Sequence, residues 1–358
     1  MLADGRSAEA RRLLETMGEP ALQTSAAQCL LAQARLGCGS LDDALDGVTK
    51  AAALDPDGEW PPRLRSLVLE RMGRHQQAIA AAEVAVERAP DLWLTHARLA
   101  EAITSDPAAV QTEHRNVTAL SAARHAIRLA PDQPEAYVVL AGVHARRGEW
   151  EAMAAAQAAA LARRPRDAGL HNDLALGRLR LKHAVPAAEG FALAAELDPQ
   201  GPGRWNLGVV LHQTFDRRIR RVGLIVSIDW LAAAGPAGGP PRFWAVLAVL
   251  SIGVMVLAPI AGFVGAVAPL CRRAMAVAVL RDSLLTVQAG ALVVSWLLFL
   301  TAFAMSGAAA GGAIFAANSC CLVSVVLACG RARHGRAATP SAVYRTGGSP
   351  FDGAVPAC

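Results

Sequence analysis

The sequence predicts an all-α chain in two parts, a stacked helical repeat followed by a four-helix transmembrane region. Three observations carry that reading. Five prolines, Pro56, Pro90, Pro131, Pro165 and Pro199, stand 34, 41, 34 and 34 residues apart, and a fixed period of this length marks a solenoid of helix pairs. Small residues recur in the same phase. After Arg221 the chain changes from charge-rich to strongly apolar.

When each repeat is counted so that its proline is position 32, position 15 holds Gly39, Gly73 and Gly148, with Gly5 one period earlier. Position 20 holds Ala44, Ala78, Ala119 and Ala187, preceded by Ala10; position 27 holds Ala51, Ala85, Ala126, Ala160 and Ala194. Two antiparallel helices approach closely only where side chains are small. A glycine lets the chain leave the first helix in a left-handed conformation, and a proline cannot sit inside the second helix and so ends the unit. This combination resembles the tetratricopeptide repeat (TPR) family over residues 1–208. The resemblance implies a right-handed helical solenoid whose first helices line a concave groove.

Taken in order, residues 1–24 read as the second helix of a repeat whose first helix is missing. Such a start exposes a face that a neighbour should cover, so either more chain precedes it or another element covers it. Residues 25–201 hold five repeats, 25–56, 59–90, 93–131, 134–165 and 168–199. Tyr137, Leu140 and Ala141 match the family's aromatic, leucine and small-residue positions, as do Leu99 with Ala100 and Leu174 with Ala175. The third repeat carries seven extra residues, placed at 105–115 because Asp106-Pro107 breaks the helix there; the insertion is a surface loop or a recognition feature. Lys182 stands where the fifth repeat should have glycine, and Met153 replaces alanine in the fourth. Residues 202–221 hold a sixth unit that starts one residue out of phase at Trp205 and ends in a basic linker.

Three apolar runs, 243–270, 284–305 and 312–329, are free of charge and at least 18 residues long, enough to cross a hydrocarbon core of about 30 Å. A fourth, 222–239, contains Asp229. With four spans, one side of the membrane receives Arg217, Arg218, Arg220, Arg221, Arg272, Arg273, Arg281, Arg331, Arg333 and Arg336, and the other receives only Arg242. With three spans the division is nearly even. Positive charge collects on the cytoplasmic side, so four spans within 222–330 are expected. The expected localisation is an integral, multi-pass inner or plasma membrane protein with its repeats and C-terminus cytoplasmic. No apolar leader opens the chain before Glu15, in keeping with that side. The tail, 331–358, lacks apolar periodicity and reads as disordered.

Net charge of +5 does not imply nucleic acid here, because many arginines flank apolar stretches instead of forming one basic face. Lysine occurs only at Lys50 and Lys182. The seven cysteines form no CxxC pair and no cluster with histidine at zinc spacing, so neither a disulfide framework nor a metal site is expected. There is no P-loop, HExxH, GxSxG or strand-borne GxGxxG. No catalytic residues, cofactor or small-molecule substrate are therefore expected. His144 falls at position 11, a packing position. Asn116-Val117-Thr118 fits a glycosylation pattern that a cytosolic location would leave inert.

The resemblance implies that positions 2, 5, 9, 12 and 13 face the groove. They include Trp60, Arg63, Leu67, Glu70 and Arg71 in the second repeat and Leu94, Ala97 and Glu101 in the third. They include Glu135, Val138 and Arg146 in the fourth, and Asn172, Leu176, Leu179 and Arg180 in the fifth. Trp60 with Arg63 would anchor a peptide bearing a carboxylate; the same arginines also fit a solvated face. The family's carboxylate clamp of lysine at position 5 and asparagine at position 9 is not matched by Cys29 with Gln33, Arg63 with Leu67, or Val138 with Gly142. The expected function is a membrane-anchored scaffold that binds a protein or peptide without catalysis. The alternative is a regulatory or assembly subunit of a membrane transport or membrane-enzyme complex, with the transmembrane helices as its functional interface. Asp229 bears on that choice: an aspartate in a span costs about 2.5–3.5 kcal/mol and pairs or serves function, unless the segment is tilted and the carboxylate lies in an aqueous cleft.

Overall fold

The computed structural model describes residues 7–16, 23–108 and 112–211, and single helical positions at Gly265, Cys271, Val287, Gly290, Val294, Leu297 and Leu298. Apart from these positions, the expected spans 222–239, 243–270, 284–305 and 312–329 lie outside the described residues. So do Asp229, the basic linker and the tail. Among the described residues no helix is long and apolar enough to cross a membrane. The chain divides into two compact units between Arg166 and Asp167.

The first unit begins with α1 (Ser7–Thr16), which packs on α2. Four helix pairs follow: α2 (Ser25–Gly37) with α3 (Leu41–Leu54), α4 (Trp60–Arg71) with α5 (His75–Arg88), α6 (Trp93–Ser105) with α7 (Glu113–Leu129), and α8 (Pro134–Arg146) with α9 (Trp150–Arg163). The second unit contains α10 (Ala168–Arg180), α11 (Ala184–Leu197) and a helical stretch at 202–211. The described residues are thus helices and turns throughout, in pairs that keep the sequence period.

Each position in the period has a physical task. The small residues at position 8 (Ala32, Ser66, Ala100, Ala141 and Ala175) are fully buried, and so are Ala51, Ala85, Ala126 and Ala160 at position 27. In the second unit Gly190 faces Ala175 so closely that a Cβ on the glycine would stand 2.8 Å from that of the alanine. Larger groups fill the space between pairs, as Leu64, Leu67 and Val68 do against Val48 and Leu36. Met153, in an alanine's place, is accommodated against Ala141 and Ala156.

The first helices end in left-handed residues. Gly39, Gly73 and Gly148 have φ of 80°, 73° and 74°, and Lys182 follows the same path at 65°. Behind each, an amide reaches back across the last turn: Ser40 to Arg35, Arg74 to Leu69, Glu149 to His144 and His183 to Arg178, all within 3.0 Å. This pattern satisfies helix-end carbonyls that would otherwise lack a donor. The second helices end at residues turned out of the helical region before the following proline, as at Asp55 (ψ 83°) and Ala130 (ψ 73°). Asp55 Oδ1 then accepts the Gly58 amide at 3.0 Å, closing the turn.

The third pair absorbs its insertion in two ways. α6 stops at Ser105 and Asp106 turns extended (ψ 115°) before Pro107. α7 starts one turn early, with 17 residues against 14 in α3, α5, α9 and α11, a gain of 17 − 14 = 3. In the second unit, Leu207, Val210 and Leu211 cover Phe191 and Ala188 of α11, and Cys271 lies in the same apolar cluster.

Candidate functional site

α2 touches α4, α4 touches α6 and α6 touches α8, so the first helices of the first unit share a continuous side. This side is where the resemblance locates a partner groove. Its residues divide by burial. Leu67, Leu94 and Ala97 sit in the core, with exposures of 9%, 2% and 0%, and supply shape instead of contact. Trp60 is half-buried against the Leu64 and Leu67 cluster. Val138 is also half-buried, while Arg71 and Arg146 are exposed.

The charges of this side are largely spent on one another. Arg63 Nε donates to Glu59 Oε2 at 2.7 Å, one helical turn back. Glu135 is buried and paired with Arg164. Below the second and third repeats lies a network with Arg98 at its centre. Its guanidinium, 3% exposed, meets the Glu70 carboxylate and donates to Glu101 Oε2 at 3.1 Å and Ser66 Oγ at 3.1 Å. Ser105 Oγ donates to Glu70 Oε1 at 2.9 Å. Burial lowers the Arg98 pKa; Glu101 opposes that shift and Arg63 adds to it. Arginine is the cation suited to such a site, because its fork meets several acceptors at once and carries a weakly held hydration shell. Arg63 and Arg98 are paired with Glu59, Glu70 and Glu101, so much of the positive charge on the face of these two repeats is compensated.

The insertion is fastened to the same side. Asp106 Oδ2 accepts from Gln76 Nε2 at 2.6 Å and Arg115 Nη1 at 3.1 Å, and its Oδ1 caps the Ala108 amide at 2.9 Å. Arg115 Nη2 also donates to Gln76 Oε1 at 2.7 Å. Arg146 of α8 donates to the Asp106 carbonyl at 3.4 Å. The insertion is therefore pinned between its neighbours on both sides.

In the second unit, Asn172 is fully buried, and its Oδ1 accepts from Asn206 Nδ2 at 2.7 Å. Leu176 and Leu179 are half-buried and Arg180 is exposed. The two asparagines lie 34 residues apart at the same position of consecutive units, a relation visible in the sequence. Asn172 thus joins the last helix pair to the helical stretch at 202–211. Arg98 was not singled out from the sequence, and Asp106 only as a helix breaker; the signal for Arg98 was an arginine at position 6, where three other repeats have Leu30, Leu64 and Val139, with glutamates at neighbouring groove positions.

Two other polar sites are structural. His144 is buried at position 11, with Nδ1 2.6 Å from Glu149 Oε2. Cys29 is fully buried, and burial pushes its thiol up to about 12, opposed by Arg63. A thiol held so is a poor nucleophile.

No protein-family model matches the chain, and no curated protein matches it. Solved structures do resemble it. One is a thermophilic TPR protein of Thermus thermophilus, at 21% identity and a TM-score of 0.47, covering 52% of this chain and 98% of that one. YrrB, described as a TPR protein with an unusual peptide-binding site, has 16% identity and a TM-score of 0.36 and covers 54% and 92%. PilF of Pseudomonas aeruginosa has 17% identity and a TM-score of 0.42 and covers 54% and 85%. Within this chain, the period, the left-handed exits at position 15 and the buried small residues at positions 8 and 27 give residues 25–199 helix pairs like those of tetratricopeptide repeats.

Proposed function

We propose that the chain is a membrane-anchored scaffold whose repeats bind a protein or peptide and whose apolar C-terminal half tethers them to the cytoplasmic face of the membrane. The observation that carries the binding part is the division of the first-helix side. Its aliphatic residues and ion pairs hold the repeats together, while Trp60, Val138, Arg71 and Arg146 keep solvent-facing surface on one continuous side. An aromatic anchor beside arginines is the composition that carries most energy in protein interfaces. Because Arg63 and Arg98 are already matched by carboxylates, the supported ligand is an extended or helical peptide held by apolar contact, with a carboxylate reaching the exposed Arg146. Tethering would raise the effective concentration of that partner at the membrane. The anchor itself is supported by the length of the apolar runs and the arginine asymmetry in the sequence.

Affinity purification of the full-length chain from detergent-solubilised membranes tests this reading. Trp60→Ala with Arg146→Ala should reduce recovery of a soluble partner by about tenfold or more while leaving membrane localisation intact. Equal recovery by wild type and variant would sink the groove reading.

A second reading is a regulatory or assembly subunit of a membrane transport or enzyme complex. Cys271 favours it, because its thiol lies 3.8 Å from the Glu189 carbonyl of α11. A plain tether needs no seat on the repeats. If the partners recovered are membrane proteins and groove substitutions leave them in place, this second reading is the one supported.

A further inference from the structure

We infer that Cys271 docks on the last helix pair beside the 202–211 stretch, and that residues 211 and 271 therefore lie on the same side of the membrane. The inference deepens the anchoring reading and rests on it for the membrane itself. The docking rests on three observations within the second unit. Cys271 is 8% exposed and belongs to the apolar cluster of Ala188, Phe191, Ala192, Leu207 and Leu211. Its Sγ donates to the Glu189 carbonyl at 3.8 Å, on α11 and 82 residues away in sequence. Phe191, Ala188 and Ala192 are all fully buried, and Cys271 shares the covering of that face with Leu207, Val210 and Leu211 of the 202–211 stretch.

The consequence for topology is sharp. Between residues 211 and 271 the sequence holds two apolar stretches, 222–239 and 243–270. If the first helices of the repeats and Cys271 share one side, the chain between them crosses an even number of times. Both stretches cross, or neither does. A three-span arrangement, in which 243–270 alone crosses before Cys271, would separate Cys271 from α11 by a bilayer. Charge leads to the same side independently: Arg272, Arg273 and Arg281 follow directly, and grouping them with Arg217, Arg218, Arg220 and Arg221 gives the cytoplasmic excess that membrane insertion follows.

Two measurements on the full-length chain test this. Hydrogen exchange in detergent is compared for wild type, Cys271→Trp and Cys271→Ala. Overfilling the site should speed exchange in 184–197 and 202–211 by about tenfold, the alanine variant should do so less, and α4 and α5 should not change. Unchanged exchange in α11 for both variants would overturn the docking. Topology reporters inserted after Gly239 and after Arg281 give the second readout; the inference requires the latter on the same side as the repeats. Reporters placing residue 281 opposite the repeats would overturn it. Release of the chain by a carbonate wash would instead remove the membrane anchor, and the exchange comparison would still decide whether Cys271 docks on the last pair.

Discussion

Arg98 of α6 and Glu70 of α4 form an ion pair beneath the first-helix side, with the guanidinium 3% exposed. It links the second repeat to the third in a layer that leucine and alanine fill elsewhere. Removing one member of a buried pair strands the other, which costs more than the pair contributes when intact. Glu70→Ala leaves Arg98 with Glu101 and should cost about 2 kcal/mol. Glu70→Ala with Glu101→Ala leaves the arginine with no carboxylate and should cost about 3–5 kcal/mol. Arg98→Met combined with Glu70→Gln and Glu101→Gln removes all three charges together, strands none of them, and should cost least of the three. Thermal melts of the purified full-length chain give the order; a Met variant as unstable as the double alanine variant would refute it.

Asp106 collects three donors and is buried. Asp106→Ala should free the insertion, at a cost of about 2 kcal/mol, with the global fold retained. Limited trypsin digestion should then cut at Arg115 faster than in wild type, while sites in α4 and α5 stay protected. Equal cleavage would show that the loop is held by something other than this carboxylate.

Much of the fold was legible because repetition multiplies weak signals. Ala51 alone says little; Ala51, Ala85, Ala126, Ala160 and Ala194 in one phase specify a buried contact in each helix pair. The chain break at Asp106-Pro107 was readable for the same reason, since proline acts locally. The site was less legible. A groove position fixes direction, not occupancy, and Arg63 is tied to Glu59 while Leu67 is core. Arg98 was hidden because its partners come from α4 as well as its own helix, a tertiary fact with no local sequence mark. The spacing of Asn172 and Asn206 was legible as one full period, but the bond between them depends on how the incomplete sixth unit packs.

Cys29 should resist alkylation. Its thiol is fully buried and pushed up to about 12, so almost no thiolate exists near neutral pH. The half-exposed Cys38 provides an internal comparison. Iodoacetamide followed by peptide mapping should label Cys38 in the native chain and Cys29 only after denaturation; native labelling of Cys29 would contradict the burial.

His96 and His125 stack with ring centroids 4.3 Å apart, joining α6 to α7. Desolvation lowers the His125 pKa, and His96 and Arg128 lower it further, against Asp91. A histidine lowered in the folded state favours the neutral form. Its contribution is present above the unfolded value of about 6.5 and is lost as pH falls through that value and the folded one. The melting temperature should therefore drop between about pH 7.5 and 5.5, and His125→Gln should reduce the drop. An identical drop in the variant would assign the pH dependence to other groups.

Lys182 occupies the left-handed turn that Gly39, Gly73 and Gly148 occupy in three other pairs, at φ 65°. An L side chain in this region costs about 1–2 kcal/mol, which glycine avoids at an entropic cost in the unfolded chain of about 0.5–1 kcal/mol. Lys182→Gly should therefore stabilise the last helix pair by about 0.5–1 kcal/mol. The reverse substitution probes the same term with no steric complication, because a Cβ at Gly73 would meet nothing within 4 Å. Gly73→Ala should cost about 1 kcal/mol from backbone conformation alone. Opposite signs for the two changes, read as shifts in melting temperature, would establish that the turn geometry is imposed by helix packing on both sides and not by the residue that occupies it. A destabilising Lys182→Gly would mean that the lysine side chain makes a contribution larger than its backbone strain.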